Sequence, residues 1–307
     1  MAFGRLERTK GSEPMSDINV TPLVDVMLVL LVIFIITAPL LTSAIRLDLP
    51  KTDAATQGDP PKFVTLVVDK AGQAYFNDKP VSQPELATAL QDSLTEAHDR
   101  ASAVPYSRDA DARGARKLKT QALVYLAAGN PGLAAEMAAA QYDAADNMTD
   151  RQGALMVLTG LDSVERTARL LDFYNRYRGN DLVVDKWFAL QASSLHPHAL
   201  EHVQALAKHA DFTLRNPNRV RSLYMAFAAN PQAFHTADGA GYRLIADLIL
   251  ALDPINPQTA ARFVPPLGRW RRIEAGRSAL MKRELERLAA APGLSRDTSE
   301  QVARSLG

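Results

Sequence analysis

FTLRNPNRVRSLYMAFAANPQAFHTADGAGY, residues 212–242, carries one device twice: Asn216-Pro217 and Asn230-Pro231. An Asn ahead of a helix caps it by accepting a hydrogen bond on its side-chain oxygen. Pro fits the first turn, where its missing N–H costs nothing. Asn130-Pro131 and Asn256-Pro257 repeat the device on either side, and Asp162-Ser163-Val164-Glu165 reads as a further cap. From about residue 104 to the end the chain is rich in Ala, Leu and Arg with helical periodicity. Residues 113–306 thus read as about ten helices joined by short turns. Helices of about 10–16 residues with short connections suggest antiparallel pairs stacked as a solenoid.

Upstream lies a piece of different character, residues 62–99. Phe63 to Val68 (FVTLVV) alternates and is β-branched, a strand signal. Asp69 to Gly72 reads as a turn, Gln73 to Phe76 as a second strand and Asn77-Asp78 as another turn. Ser82-Gln83-Pro84-Glu85 then opens a helix expected to run to about Ala97. Two strands and one helix bury too little apolar area to be securely stable alone, so this piece is expected to be marginally ordered unless it packs on something else.

Further upstream, residues 46–61 are polar and proline-bearing and read as a linker. Residues 22–45 are apolar, and Asp25 is the only ionisable group from Leu23 to Ile45. About 20 apolar residues span a bilayer core. A cleaved signal would have a shorter apolar run and a small-residue cleavage site, which Pro39-Leu40-Leu41-Thr42 does not supply. One membrane-spanning helix is therefore expected. Arg5, Arg8 and Lys10 precede it, against Arg46 and Lys51 after it, so residues 1–21 are placed on the cytoplasmic side. A carboxylate in such a helix usually faces a protein interior or water. Two readings of Asp25 follow: a hydrated residue at the headgroups, or one that faces partner helices and exchanges a proton.

The composition adds exclusions. The 307 residues carry a formal net charge of +1, which gives no global signal for nucleic-acid binding. Cysteine is absent, so no disulfide or thiolate-metal site exists. No cofactor is called for, and no Gly-rich phosphate loop or nucleophile elbow occurs.

Met15 to Pro50, MSDINVTPLVDVMLVLLVIFIITAPLLTSAIRLDLP, closely resembles the ExbD/TolR family. The motif residues are Asn19, Thr21 and Pro22 leading into Asp25, then Thr37 and Pro39. The resemblance implies a bacterial inner-membrane, single-pass subunit of a proton-motive-force-driven complex, with a cytoplasmic N-terminus and a periplasmic C-terminal region. It implies a dimer of this chain held in an ExbB/TolQ-like pentamer and acting on a TonB- or TolA-like protein. Asp25 aligns with the family's proton-coupling aspartate. The β-β-α order of 62–99 matches only the first half of that family's periplasmic domain.

Residues 168–193, 212–242 and 255–270 closely resemble the C-terminal helical domain of bacterial aminopeptidase N. That likeness covers roughly 104–307. It aligns Arg221 and Arg262 with two cavity-side arginines of the family; pairing with carboxylates between helices is the alternative for both. The catalytic half is missing, for no HExxH or GAMEN-type segment occurs. His198-Ala199-Leu200-Glu201-His202 matches the reversed HxxEH pattern without an evident third ligand, so no metal site is expected. Arg269, Arg271 and Arg272 around Trp270 form a basic knot, read as a solvated helix end near an acidic neighbour rather than a nucleic-acid or phospholipid contact.

The expected fold class is mainly α: a single N-terminal transmembrane helix, a small truncated β-β-α piece, then an α-helical solenoid. The expected activity is that of a non-enzymatic transport-complex subunit fused to a non-catalytic helical domain, the splice lying near Arg100–Val104. Two alternatives stand beside it: a membrane-tethered accessory fragment that pairs with an aminopeptidase catalytic fragment, or a gene junction without selected function.

Overall fold

The computed structural model describes residues 65–70 and 72–307. The expected N-terminal segment, membrane helix and linker lie outside these residues. Among the described residues no helix is long and apolar enough to cross a membrane.

Three short strands come first: β1 (Leu66–Val68), β2 (Ala74–Phe76) and β3 (Lys79–Val81), antiparallel in that order. The sequence reading has two strands, and β3 is an addition. Asn77 and Asp78 both take positive φ, 47° and 64°, which builds the two-residue turn whose twist suits a hairpin. Tyr75 pairs with Pro80 across it. Proline lacks the N–H for a ladder and is tolerated here because β3 is an edge strand.

Helix α1 (Gln83–Ser102) starts at a capping box. The Glu85 carboxylate accepts from the Ser82 N–H at 2.8 Å, and Ser82 Oγ accepts from the Glu85 N–H at 3.4 Å. The helix runs past its expected end near Ala97 because its last turns are packed: His98 and Ala101 are buried. Helix α2 (Ala110–Gly129) begins earlier than residue 113, since Asp109 accepts from the Ala112 N–H at 2.8 Å.

Helices α3 (Pro131–Ala144), α4 (Met148–Thr159), α5 (Val164–Tyr177), α6 (Asp181–Ala192) and α7 (Ala199–Leu206) follow. Next comes one continuous helical run in three parts: α8 (Pro217–Val220), a π-helical turn over Arg221–Met225, and α9 (Ala226–Ala228). Then come α10 (Pro231–Phe234), α11 (Ala240–Leu252), α12 (Pro257–Ala261), α13 (Val264–Gly268), α14 (Ala275–Ala289) and α15 (Arg296–Leu306).

All four Asn-Pro starts cap as the sequence predicts. Asn130, Asn216, Asn230 and Asn256 accept from backbone N–H groups at 3.0–3.3 Å. Ser163 does the same for Arg166 at 3.1 Å. Asn147 and Asn180, which no proline follows, also cap their helices.

From α2 to α4 each helix packs on its successor and on the next but one, which is how stacked helix pairs propagate. At the far end α15 returns onto α12 and α13 and closes the stack. The main core runs from Tyr142 to Val302 and includes the fully buried Phe173, Phe188, Phe227 and Phe263. A second cluster joins Leu123, Leu126, Val157 and Leu158, and Leu94 of α1 packs against it. Asn130 Nδ2 also donates to Gln91 Oε1 at 3.0 Å. The helix after the strands therefore has the partner that its stability requires.

Candidate functional site

The proline-turn and membrane-helix residues Asn19, Thr21, Pro22, Asp25, Thr37 and Pro39 lie outside the described residues. Arg221 and Arg262 lie within them. Arg221 opens the π-helical turn, a widened backbone that recurs at functional sites. Its guanidinium is exposed and donates to the Asn218 side-chain oxygen. With Leu182, Asp185, Ser222 and Met225 it lines a shallow hollow of about 640 Å³. Arg262 follows α12, is exposed, and does not line that hollow.

Among the described residues neither arginine is ion-paired between helices; Arg219 takes that role. The Asn216 cap places Arg219 in the first turn of α8, where it is 3% exposed. Nε donates to Asp185 at 2.5 Å, Nη2 to Asp181 at 3.3 Å and Nη1 to the Asp211 carbonyl at 2.5 Å. The guanidinium carbon lies 5.0 Å from the Phe188 ring centre. Arg219 is not among the residues that the sequence singles out. The available signal was periodicity: Arg219 lies one turn before the buried Leu223, while Arg221 is two residues on and faces away.

The HxxEH residues are not arranged as a metal site. Arg166 Nη2 lies 3.1 Å from His202 Nδ1 and 3.3 Å from Nε2, so a cation occupies the place a metal would take. Burial, then the Arg166 charge, pushes the His202 ring down to about 4. His196 is buried 4.7 Å from the His202 ring, and its Nδ1 accepts from the His198 N–H at 3.1 Å. Among the described residues no group of three or more His, Asp or Glu is placed to hold a metal ion.

The basic knot is tied to the chain's own end. Trp270 Nε1 donates to the Ser305 carbonyl at 3.0 Å and Arg271 to the Leu306 carbonyl at 2.6 Å. Arg271 also covers the Trp270 ring at 4.2 Å. The neighbour is thus the carbonyl end of α15, where cations are favoured, and not an acidic side chain.

A buried polar chain joins α1 to the stack. His98 Nε2 donates to Gln141 Oε1 at 3.1 Å, and Gln141 Nε2 donates to the Asp150 carbonyl at 3.0 Å. Lys119 Nζ donates to Asp150 Oδ2 at 2.9 Å. These residues line a hollow of about 470 Å³ beside the expected splice.

Comparison with known proteins divides the chain. The family described as "Domain of unknown function (DUF3458_C) ARM repeats" matches residues 73–307. "Biopolymer transport protein ExbD/TolR" matches residues 12–128, so the two overlap over 73–128, from β2 and β3 through α1 to most of α2. Aminopeptidase N of Caulobacter vibrioides is 42% identical over 203 residues, 66% of this chain and 24% of that protein. Biopolymer transport protein exbD1 of Xanthomonas campestris is 50% identical over 80 residues, 25% of this chain and 57% of that protein. The crystal structure of Legionella pneumophila aminopeptidase A in complex with aspartic acid superposes with a TM-score of 0.67 at 30% identity. It covers 73% of this chain and 27% of that one. The chain thus spans about a quarter of the length of the aminopeptidases it resembles, and the matched portion is their helical C-terminal domain.

Proposed function

The chain belongs to the DUF3458_C ARM-repeat family over residues 73–307, and from that premise we propose a two-part protein. Its N-terminal part acts as an ExbD/TolR-like inner-membrane subunit of a proton-motive-force-driven transport complex. Its helical part is a non-catalytic aminopeptidase N-like domain carried behind it. The observation that carries this reading is the ExbD/TolR match at 12–128, which contains Asp25 inside the apolar run.

In this reading residues 22–45 cross the membrane once, residues 1–21 stay cytoplasmic, and everything from the linker 46–61 onward is periplasmic. Residues 62–99 are the remnant of the ExbD/TolR periplasmic domain and residues 104–307 the aminopeptidase-like one. Asp25 exchanges a proton as its access to water changes, which only a bundle of companion helices can permit. An ExbB/TolQ-like pentamer, a second copy of this chain and a TonB- or TolA-like protein are the partners. Arg221 and Arg262 are substrate-facing residues left without a substrate. Peptide hydrolysis is not among the functions, since the chain has no HExxH segment to supply the zinc ligands and base.

Complementation tests the reading. The parent chain should restore transport to a strain lacking its ExbD or TolR, and Asp25→Asn should abolish the rescue. An Asp25→Asn chain that rescues as well as the parent ends the proton-coupling role.

A second reading has its own support, because the aminopeptidase likeness is longer than the transport likeness, up to 225 residues against up to 111. The helical part would then complete a separate catalytic half as a membrane-tethered accessory. Mixing the full chain with that half should restore hydrolysis of a peptide substrate. Unchanged activity refutes it.

A further inference from the structure

Two hollows in the helical stack lie side by side along one groove wall, helix α2. The first, about 720 Å³, is lined by Arg113, Arg116, Lys117 and Lys186 together with Met156 and Leu190. The second, about 460 Å³, is lined by Val124, Ala127, Leu195 and again Met156 and Leu190. Met156 and Leu190 line both, so the two hollows adjoin. Along α2 the groove runs from Arg113 to Ala128, roughly 22 Å at the helical rise. α4 and α6 supply the opposite wall.

The two ends differ chemically. One end has four cations, and no Asp or Glu lines either hollow. Arg169, Arg176, Arg219 and Arg287 each sit on a carboxylate. Among the described residues none of the four groove cations does. Arg116 Nη1 is buried with no hydrogen-bond partner among the described residues, and its guanidinium lies 4.8 Å over the ring of Tyr106, with which it also lines the hollow that holds Asp99, Asp146 and Asp150. Lys186 Nζ reaches only the Gln152 side-chain oxygen, at 3.4 Å. The positive charge of Arg113, Lys117 and Lys186, which no carboxylate offsets among the described residues, favours an anion.

The other end is apolar, and its hydroxyls are already engaged. Thr159 Oγ1 donates to the Met156 carbonyl at 2.7 Å, Ser194 Oγ to the Thr159 carbonyl at 2.9 Å and Ser193 Oγ to the Leu190 carbonyl at 3.4 Å. A peptide laid there would bury backbone groups without partners, which is costly. A hydrocarbon chain has no such groups. The length is comparable to an extended palmitoyl chain.

We propose that this groove binds a long-chain fatty-acid anion, its carboxylate at Arg113, Arg116, Lys117 and Lys186 and its hydrocarbon chain along Val124, Met156, Leu190 and Leu195. The site is independent of the transport reading.

Radiolabelled palmitate is the probe, with the full chain held in phosphatidylcholine nanodiscs. The chain carrying Arg116→Glu and Lys117→Glu serves as the reference, so that partition into the disc cancels. The parent should retain one saturable palmitate per chain. The double variant should weaken retention by about tenfold or more, the loss expected when charge-assisted bonds are removed. Leu195→Asp should weaken it comparably from the other end. Lys117→Gln, at an exposed position, gives a milder loss in a chain whose fold is not in question. Octanoate should compete at least about tenfold more weakly than palmitate, because each buried methylene contributes. Hexadecylamine should not compete. Equal retention by parent and variants, or competition by hexadecylamine equal to palmitate, overturns the proposal. Retention that requires phosphatidylglycerol in the disc, or displacement by an acidic leucine-rich peptide at equal concentration, assigns the groove to a lipid surface or a protein and also overturns it.

Discussion

The strand piece and the helical stack obey the same local rules and end up in different energetic situations. In the strand piece, turn chemistry does most of the work. Asp69 Oδ1 accepts from the Gln73 N–H at 2.9 Å and Asn77 Oδ1 from the Thr65 N–H at 3.0 Å. Yet Leu66, Val67 and Val68 are 50%, 48% and 61% exposed. In the stack, Phe173 is fully buried against Tyr177, ring centres 4.8 Å apart. The difference teaches that a correct turn sets geometry while burial sets stability. Phe173→Ala should therefore cost the full chain about 3–5 kcal/mol in thermal or urea unfolding. Val67→Ala should stay within about 0.5 kcal/mol. Comparable losses at both positions would break the contrast.

The same contrast holds within one helical turn, between two arginines. Arg219 is buried and bridges α8 to Asp185 and to the Asp211 carbonyl, whereas Arg221 is exposed and, among the described residues, hydrogen-bonds through its side chain to Asn218 alone. Removing one partner of a buried pair strands the other. Arg219→Ala should thus lose about 3 kcal/mol, against about 0.5 kcal/mol or less for Arg221→Ala. Urea midpoints of the two variants measure the gap. A stable Arg219→Ala chain would show that Asp185 and Asp211 find water instead.

What the sequence made legible follows from range. The Asn caps at 130, 216, 230 and 256 could be read because a cap is settled within three residues. β1 and β2 could be read from alternation. β3 could not, since Lys79-Pro80-Val81 has no strand signal and is held by pairing with β2. The last turn of α1 was missed for the same reason: His98 is fixed by Gln141, 43 residues away. Of the candidate site, a likeness points to Arg221 and nothing local points to Arg219, although only its position relative to Leu223 separates them. The basic and apolar groove left no signal at all, because its walls come from α2, α4 and α6, and no local pattern announces that Arg116, Met156 and Leu195 share one surface.

The smallest effect comes from a place where the stack holds a half-buried titratable ring against a cation. His202 of α7 meets Arg166 from α5, with His196 and His198 on the preceding loop, Glu201 on its own helix, and Asp162 beside Arg166. Burial and then the Arg166 charge hold its folded pKa at about 4, below the ordinary 6.5. The unfolded chain therefore binds the proton first as pH falls. Stability is fully present above about pH 6.5, declines between about pH 6.5 and 4, and is then lost. His196 and His235 are lowered in the same direction, so they add to the slope. The capped carboxylate of Asp253, bound by Ser295 and Thr298, acts only below the ordinary Asp range and leaves this window alone. Melting temperature should thus fall from pH 7 to pH 4.5, and His202→Gln should flatten that fall whatever it does to the value at pH 7. A parent chain equally stable at both pH values would mean that Arg166 swings into solvent when the ring is protonated, and that the stack yields here more readily than at Phe173.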